Sequence, residues 1–403
     1  MKRLVILIAV ALAAPAAAQD LKLHGLAQAR VVMPANEVST IDGGVGRLRY
    51  GRGDAEDFDA ELSDLFLEGA LQATSSFKLR ATLKRDPEQD EAVDLVEGFA
   101  EWKPVSTAPV RWALKAGAFF PPISLENDDI GWTSVYTMTP SAINSWVGEE
   151  LRAIGGEARL DWRFSERSTL SVFFSAYGWN DPAGVLLDIR GWGMTDRVTG
   201  MADGVRLPDY FAAMVGEPTP FRYEEFAELD GRFGYYAGAE WSMRDGPRLR
   251  LLRYDNRADP AAIENGWRAW LTQFWSAGAE APVGPWTFIA QGMSGHTDVD
   301  LPMFYRRMDF SSAFLLVGRD LGDVRLAGRV EFFRADATMD GVLQGPKEDG
   351  GAATLAATWS VNEHAVIRAE ALTLDVDRPS ADGASLRPGE RETQAQLALQ
   401  LRF

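Results

Sequence analysis

The sequence predicts an all-β fold, a transmembrane antiparallel up-and-down β-barrel of about 16 strands with short turns on the periplasmic side and long loops on the extracellular side. Three observations predict it. Apolar residues recur at every second position in many segments, the links between these segments alternate between short and long, and Trp, Tyr and Phe gather near segment ends. A soluble β-sandwich has no reason to separate its loop lengths or to band its aromatic residues in this way.

The first eighteen residues have the features of a secretory signal peptide. Two basic residues precede an apolar run over residues 4–14, and small residues follow. The apolar run is too short to cross a bilayer as a helix. We therefore predict that residues 1–18 are a signal peptide and that residues 19–403 form the barrel.

Composition excludes several classes of protein. The chain has no cysteine, so it forms no disulfide. It carries 41 basic and 58 acidic residues, and removal of the two bases of the signal peptide leaves 39 against 58, a formal charge of -19. Nucleic acid needs a basic surface, so it is not expected as a partner. Beyond residue 18, no run approaches the roughly 18 apolar residues of a transmembrane helix.

Alternation is clear at the carboxyl end, where Leu397, Leu399, Leu401 and Phe403 share one face and Gln400 lies on the other. Each such segment is near the roughly 9 to 11 residues that a tilted strand needs to cross a bilayer. The number of segments is even, as closed bacterial barrels require. The predicted strands span residues 21–32, 62–73, 76–85, 92–103, 110–119, 152–164, 168–180, 232–243, 247–256, 266–281, 285–295, 307–320, 323–334, 350–361, 364–375 and 390–403.

Short and long links alternate between these strands, as they do in outer-membrane barrels, whose short turns are periplasmic and whose longer loops are extracellular. The short links lie at 74–75, 103–109, 165–167, 244–247, 282–284, 321–322 and 362–363. The longer links lie at 33–61, 86–91, 120–151, 181–231, 257–265, 296–306, 335–349 and 376–389.

Aromatic residues form two predicted girdles where lipid meets water. The periplasmic girdle consists of Trp102, Trp112, Trp162, Phe164, Trp241, Trp286, Trp359 and Phe403. The extracellular girdle consists of Tyr177, Trp179, Tyr254, Trp267, Phe332 and Phe333.

Two short stretches resemble known outer-membrane proteins. The strand-then-proline stretch from Lys115 to Ser124 resembles the start of the third loop in the phosphate-selective porin O and P family. The terminal Leu401-Arg402-Phe403 is similar to the aromatic signal that the barrel-assembly machinery recognises. The resemblance implies a general trimeric porin of sixteen strands whose third loop folds inward. The arginine run and lysine cluster of phosphate-selecting members are not matched, so the solute stays open.

The polar face of each strand is expected to line the lumen, where charge sets the selectivity of a porin. Bases outnumber acids there by about fifteen to seven. The bases are Lys22, Arg30, Lys78, Arg80, Lys84, Arg111, Lys115, Arg159, Arg163, Arg248, Arg250, Arg325, Arg329, Arg368 and Arg402. The acids are Glu68, Glu97, Glu101, Glu157, Asp161, Glu331 and Glu370. This excess predicts a preference for anions, unless the charges pair across neighbouring strands and cancel.

Residues 120–151 are the predicted constriction loop. The segment is long enough that a functional role is expected, and its acids Glu126, Asp128 and Asp129 are predicted to face lumenal bases across the channel. An outward surface loop is the alternative. The still longer extracellular link at 181–231 is expected to fold over the mouth or over a neighbouring subunit.

Catalysis is not predicted, because His24, His296 and His364 are the only histidines and no nucleophile motif accompanies them. No phosphate-binding glycine motif is complete, so no cofactor is expected. The alternating His296, Asp298 and Asp300 could hold a divalent ion, but such loop acids are usually solvated, and no metal is predicted.

The sequence therefore predicts a porin in the outer membrane of a Gram-negative bacterium that passes small hydrophilic solutes by diffusion. Its expected partners are outer-membrane lipid, lipopolysaccharide, two further copies of the chain in a homotrimer, and the barrel-assembly machinery through Phe403. The alternative is a loop-plugged barrel that serves as a binding, adhesin or structural protein.

Overall fold

A computed structural model describes residues 20–51, 58–87, 91–341, 343–377 and 391–403. Within these residues the chain forms one closed barrel of sixteen antiparallel strands, in which each strand pairs with its neighbours in the chain and the last pairs with the first. The predicted fold class is confirmed. The predicted signal peptide and most of the link at 376–389 lie outside the described residues, so the signal peptide stays a prediction.

The strand bounds follow the predicted order around the barrel. The first eight strands are β1 (Asp20–Met33), β2 (Asp59–Thr74), β3 (Phe77–Arg85), β4 (Asp94–Trp102), β5 (Val110–Phe119), β6 (Ala153–Arg163), β7 (Ser168–Gly178) and β8 (Gly234–Met243). The others are β9 (Arg248–Asp255), β10 (Leu271–Val283), β11 (Trp286–Leu301), β12 (Phe304–Leu321), β13 (Val324–Met339), β14 (Leu343–Ser360), β15 (Ala365–Asp377) and β16 (Arg391–Arg402).

The two faces of the wall differ as the alternation predicts. On β16, Leu397, Leu399 and Leu401 are exposed on the outside, whereas Gln396 and Gln400 face inward and are buried. A closed barrel satisfies its backbone hydrogen bonds between strands, and its apolar outer face is what lipid requires. The chain is therefore an outer-membrane β-barrel.

The outer wall carries the periplasmic aromatic girdle, but the extracellular one is only partly present. Trp102 and Trp112 stand edge to face on the outside, with ring centroids 4.6 Å apart. At the other end, Tyr177, Tyr254 and Phe333 face inward and are buried. They pack against loop segments that fold into the lumen. The sequence pattern does not distinguish such inward-packing aromatic residues from those of a girdle.

Two of the links predicted as long loops are strand. β11 and β12 continue toward each other until only Pro302 and Met303 separate them, and β14 already begins at Leu343. The predicted loops at 296–306 and 335–349 are therefore wrong. These extensions carry polar residues on their outer face, because they rise above the apolar belt. A strand that is polar on its outer face lacks the alternation that predicts a strand, so the sequence pattern indicates a loop.

Three loops fold into the extracellular half of the barrel, and two of them, at 120–151 and 181–231, carry the three described α-helices. These are α1 (Ala142–Glu150), α2 (Val185–Ile189) and α3 (Asp209–Val215). None of the described helices is long and apolar enough to cross a membrane. Every residue of α1 is buried, and the Ser141 side chain caps its start by accepting a hydrogen bond from the Asn144 amide.

A hydrophobic core lies inside the lumen. Its centre is Trp146 of α1, whose ring contacts Phe274 of β10 and Phe310 of β12 edge to face at 5.5 and 5.4 Å between centroids. Trp192, from the 181–231 link, packs on the same tryptophan at 6.2 Å. Both wall residues lie near the extracellular ends of their strands, so this end of the lumen is filled by side chains rather than water.

We expect Gly117→Ala to destabilise the barrel. Gly117 has a φ of 138°, and an added Cβ would lie 2.2 Å from the Gly98 carbonyl oxygen. The free energy of unfolding, from urea titration in lipid vesicles, should fall by about 1–3 kcal/mol. Gly156→Ala is the control, because its nearest neighbour, the Lys115 carbonyl oxygen, would be 3.7 Å away. Equal losses in both variants would contradict this account.

Candidate solute pathway in the lumen

The vestibule is the space enclosed by inward-facing side chains at the periplasmic half of the barrel. Nine of the bases predicted to line the lumen are at least partly accessible there. They are Lys78, Arg80, Arg111, Lys115, Arg159, Arg163, Arg248, Arg250 and Arg325. Alternation places them correctly on the inner face, because strand residues two apart point the same way.

Most of these bases are paired with carboxylates from the same or a neighbouring strand. Arg80 lies 3.0 Å from Glu68, and Lys115 lies 3.3 Å from Glu157. The remaining pairs are Arg159 with Asp161 at 2.8 Å, Arg248 with Glu280 at 2.7 Å, and Arg250 with Glu240 and Arg325 with Asp320, each at 2.5 Å. Pairing of this kind leaves much less net field than a bare count of bases suggests.

Three of these nine bases lie near the periplasmic mouth and differ from the rest. Lys78 on β3, Arg111 on β5 and Arg163 on β6 form no ion pair among the described residues. Arg111 instead donates a hydrogen bond to the Ala108 carbonyl oxygen at 3.3 Å. These three bases therefore carry positive charge that no ion pair neutralises. The inward-facing Glu101, the cross-strand neighbour of Lys78 on β4, also forms no ion pair among the described residues and offsets part of that charge.

Lys84, Arg329 and Arg368 are buried beneath the loops and do not reach the vestibule. Arg329 is fully buried between Glu331 at 2.9 Å and Glu126 at 3.2 Å. It holds loop and wall together rather than lining an aqueous path. Burial of an inward base by a loop depends on how that loop folds, which alternation along a strand does not report.

The 120–151 segment runs inside the barrel along the walls of β10 to β16. Wall carboxylates hold its backbone: Glu370 accepts hydrogen bonds from the amides of Met138 and Thr139 at 2.5 and 3.0 Å, and Glu331 accepts one from Ala142 at 2.7 Å. Charge-assisted bonds of this type are stronger than neutral ones. The loop is thus attached through its main chain to acids fixed by the strands.

The loops near β1 and β7 are attached in the same manner. Glu392 of β16 accepts hydrogen bonds from the Arg47 amide, and Glu348 of β14 accepts one from the Trp192 amide at 3.0 Å. Glu348 also forms an ion pair with the Arg47 guanidinium at 2.8 Å. A single wall acid thereby fastens two loops.

The 120–151 and 181–231 segments are joined to each other at the carboxyl end of α1. Glu149 pairs with Arg190 at 2.6 Å, and Glu150 accepts hydrogen bonds from the amides of Gly184 and Leu186 at 3.1 and 2.9 Å. Burial raises the pKa of the Glu150 carboxyl, against these hydrogen bonds. We call the joined loops the plug, defined as residues 120–151 together with 181–204.

The three predicted constriction acids lie in different surroundings. Asp128 is exposed to the vestibule and contacts Arg248 at 3.2 Å, and Asp129 contacts Arg402 at 2.8 Å. Glu126 is buried against Arg329. Each of the three acids therefore forms a direct ion pair with a base of the wall, and the open gap expected between acid and base is absent at these three residues.

Two groups of acidic residues lie at the extracellular side. His296 and Asp298 face outward on β11, where Asp298 is 3.6 Å from Arg307 and accepts a hydrogen bond from Tyr305 at 3.0 Å. Asp181, Glu228 and Asp230 have carboxylate oxygens within 4.8 Å of one another. Burial, together with these neighbouring carboxylates, raises the pKa of Asp181 to about 7.

The wall carboxylates that hold the loops were missed as anchors by the sequence analysis. Glu331 and Glu370 were placed correctly on the inner face but assigned to the aqueous lining. A signal for α1 did exist, since Ser141 precedes apolar residues at 142, 143, 146 and 147, which is a helix start followed by helical spacing. No local signal pairs the helix with its anchors, because they lie far away in the sequence.

Solved structures share this architecture over nearly the whole chain, although no family model and no curated protein matches the sequence. The outer-membrane channel DcaP of Acinetobacter baumannii has a TM-score of 0.56 at 11% identity, covering 96% of this chain and 99% of that one. A loop-deletion mutant of OmpT from Vibrio cholerae has a TM-score of 0.54 at 9% identity, with 96% and 100% covered. OmpF of Salmonella typhi, in complex with daunomycin, has 0.51 at 11% identity, with 95% and 97% covered.

At such low identities these matches show the fold alone. The chain has the fold of Gram-negative outer-membrane porins and channels. Another structure of the Vibrio protein, with a TM-score of 0.50, is described as a trimer form. Membership in the phosphate-selective porin O and P family is not confirmed by these matches.

Glu370→Gln is expected to loosen the 120–151 segment without unfolding the barrel. The neutral amide keeps the shape of the carboxylate but weakens its bonds to Met138 and Thr139 by about 1–2 kcal/mol. Hydrogen exchange of those two amides should accelerate by a corresponding factor of about ten. Glu101→Gln serves as the control, because Glu101 also faces inward but holds no loop amide in the described residues. Unchanged exchange at 138 and 139 would refute the anchoring role.

Proposed function

We propose that this protein is an outer-membrane diffusion channel for small hydrophilic solutes. The observation that supports this most directly is the vestibule, a charged and water-accessible inner wall reached from the periplasmic side of a closed barrel. Lumenal charge and an inward loop are the parts from which channels build selectivity. In this proposal the 120–151 segment is the constriction and no covalent chemistry is performed.

The assembly and its surroundings follow from the same proposal. The barrel works as a homotrimer, in line with the trimer form described for one neighbour of the same fold. Its apolar outer wall contacts outer-membrane lipid and lipopolysaccharide. The exposed Phe403, whose backbone pairs with Gly25 of β1, carries the recognition signal for the barrel-assembly machinery.

The vestibule supports a weak anion preference rather than a strong one. Lys78, Arg111 and Arg163 lack ion pairs within the described residues. The other six of the nine accessible bases each form an ion pair with a carboxylate. These three bases, on β3, β5 and β6, raise the local concentration of anions at the mouth. The effect decreases with ionic strength, because exposed charges are screened.

Bilayer recordings in a KCl gradient test this preference. The wild-type reversal potential should indicate moderate anion selectivity, and combined replacement of Lys78, Arg111 and Arg163 by Gln should bring the permeability ratio to unity or below. A cation-selective wild type would contradict the proposal.

A matched control changes the same charge outside the lumen. Arg334, Lys347 and Arg391 are exposed on the outer wall near the extracellular rim. Their combined replacement by Gln removes three positive charges without altering the vestibule. An equal shift in both triple variants would show that overall charge, and not the mouth, controls selectivity.

The second candidate function is the loop-plugged barrel with a binding or structural role. One observation favours it: the plug places a buried apolar core, centred on Trp146 and Trp192, in the extracellular half of the lumen. Solutes then cross only if the plug moves. The two candidates differ in whether the wild-type barrel conducts at all.

A reversible tether measures that movement. Leu48 and Met194 are buried partners in an isolated β-bridge between the 34–51 loop and the plug, so a Leu48→Cys and Met194→Cys pair is close enough for a disulfide. The chain has no other cysteine to interfere. If conduction needs the plug to move, the oxidised variant should show no stepwise conductance and reduction should restore it.

The remaining outcomes of the tether experiment separate the alternatives. Equal conductance before and after reduction would mean that solutes pass without displacement of the plug. A wild-type protein and a reduced variant that both fail to conduct would favour the binding or structural role. The single variants Leu48→Cys and Met194→Cys control for the substitutions themselves.

A further inference from the structure

A pocket of about 380 Å³ opens into the vestibule beneath the tip of the 120–151 segment. Its volume is in the range of small-molecule sites. The strands β1 to β4 form one side and the loop residues 127–132 form the other. Acidic, basic, amide and aromatic side chains meet there, which is a combination suited to a polar organic solute.

Each carboxylate and guanidinium group that lines this pocket already has a partner within the protein. Glu68 pairs with Arg80 at 3.0 Å, while Asp128 and Asp129 are paired with arginines of β9 and β16. The Glu97 carboxylate accepts a hydrogen bond from the Phe120 amide at 2.9 Å. An ion of either sign therefore gains little net attraction.

Compensation does not use up the hydrogen-bonding capacity of these groups. Each carboxylate has about four lone-pair directions and each guanidinium five N–H donors, more than one ion pair occupies. The Arg80 side chain is 37% exposed, so part of its donor set remains open to a solute. Hydroxyl groups, which both donate and accept, can use donors and acceptors of this kind together.

An aromatic surface is held in place beside these polar groups. The Trp132 ring stacks on Phe120 at 4.1 Å with an interplanar angle of 8°, and the Arg152 guanidinium lies 3.4 Å from the centroid of Phe120. The half-buried indole of Trp132 lines the pocket. Aromatic rings of this kind offer an apolar surface next to a polar edge.

The backbone that presents Trp132 is strained and tightly fixed. Gly131 and Trp132 both have positive φ, 68° and 66°. Gly131 lies so close to Phe66 that an added Cβ would be 2.3 Å from the ring, and the Asn127 side chain donates a hydrogen bond to the Trp132 carbonyl oxygen at 2.7 Å. A non-glycine residue is rarely held in this conformation unless its surroundings fix it, and such residues cluster at ligand sites.

From these observations we infer that the pocket is a binding subsite for an uncharged, polyhydroxylated solute of monosaccharide size. The apolar C–H face of such a ring packs against Trp132, and its hydroxyl edge bonds to Arg80, Glu68 and Asp128. The inference names a solute class for the proposed diffusion channel, and its transport role rests on that function. Binding itself requires only the folded barrel.

Three probes of one ring shape test the inference: glucose, its anionic relative glucuronate and its cationic relative glucosamine. Saturation-transfer NMR on the full-length protein in detergent measures the dissociation constant of each. We expect binding on the order of millimolar for glucose, because a small solute makes few contacts, and about three- to fivefold weaker binding for both charged probes.

Two variants unbalance the pocket in opposite directions. Arg80→Met leaves Glu68 uncompensated and should shift relative affinity about three- to fivefold toward glucosamine, the scale of one partly exposed ion pair. Glu68→Gln leaves Arg80 uncompensated and should shift it similarly toward glucuronate. Arg334→Met, on the outer wall and outside both the pocket and the vestibule, is the control and should leave all three affinities unchanged.

The outcomes are separable from those of the proposed function. Tightest wild-type binding by glucuronate or glucosamine would overturn the inference, as would absence of binding by all three probes or the same response from Arg80→Met and Arg334→Met. If the protein conducts but binds no sugar, the subsite is contradicted and the diffusion channel is supported. If it binds glucose but never conducts, the subsite is supported and the diffusion channel is contradicted.

Discussion

Carboxylates fixed on the inner wall, bonded to the backbone amides of loops, are the interaction on which the interior of this barrel depends. A loop inside a lumen must satisfy its amide groups without the regular pairing of a sheet. Four glutamates, each on a different strand, accept these hydrogen bonds from loop amides. They are Glu331, Glu348, Glu370 and Glu392. Because the strands fix the positions of these acids, the loops have defined places to dock.

This use of acids decides the electrostatics of the lumen. Glu97, Glu331 and Glu370 lie on the inner face but are committed to loop amides, so they contribute little to an aqueous path. The loops in turn cover Arg329 and Arg368. Removal of charges of both signs leaves a vestibule of mostly paired residues, which is why the proposed anion preference is weak.

Sequence periodicity predicted the barrel well because each strand reports its own two faces. Local alternation was enough to predict the sixteen strands, their order and the inward orientation of the bases assigned to the lumen. The interior could not be predicted in this way, because it depends on distant contacts: Glu126 and Arg329 are 203 positions apart, and nothing near either residue identifies the other. The prediction of loops at 296–306 and 335–349 failed for a different reason. Above the membrane a strand no longer needs an apolar outer face, so the alternation of apolar and polar residues disappears there.

The plug links the constriction to the extracellular cover, and this coupling bears on how a solute could cross. α1 is held at its start by Glu331 and joined at its end to the 181–204 segment through Glu149 and Glu150. The cover cannot leave the lumen without breaking these bonds or carrying α1 with it. Displacement of the whole plug would uncover the buried Trp146 and lose its apolar contacts, which makes small, local openings less costly than complete release. In the proposed channel, solutes would therefore cross through small shifts of the 181–204 segment against a 120–151 segment that stays anchored to the wall.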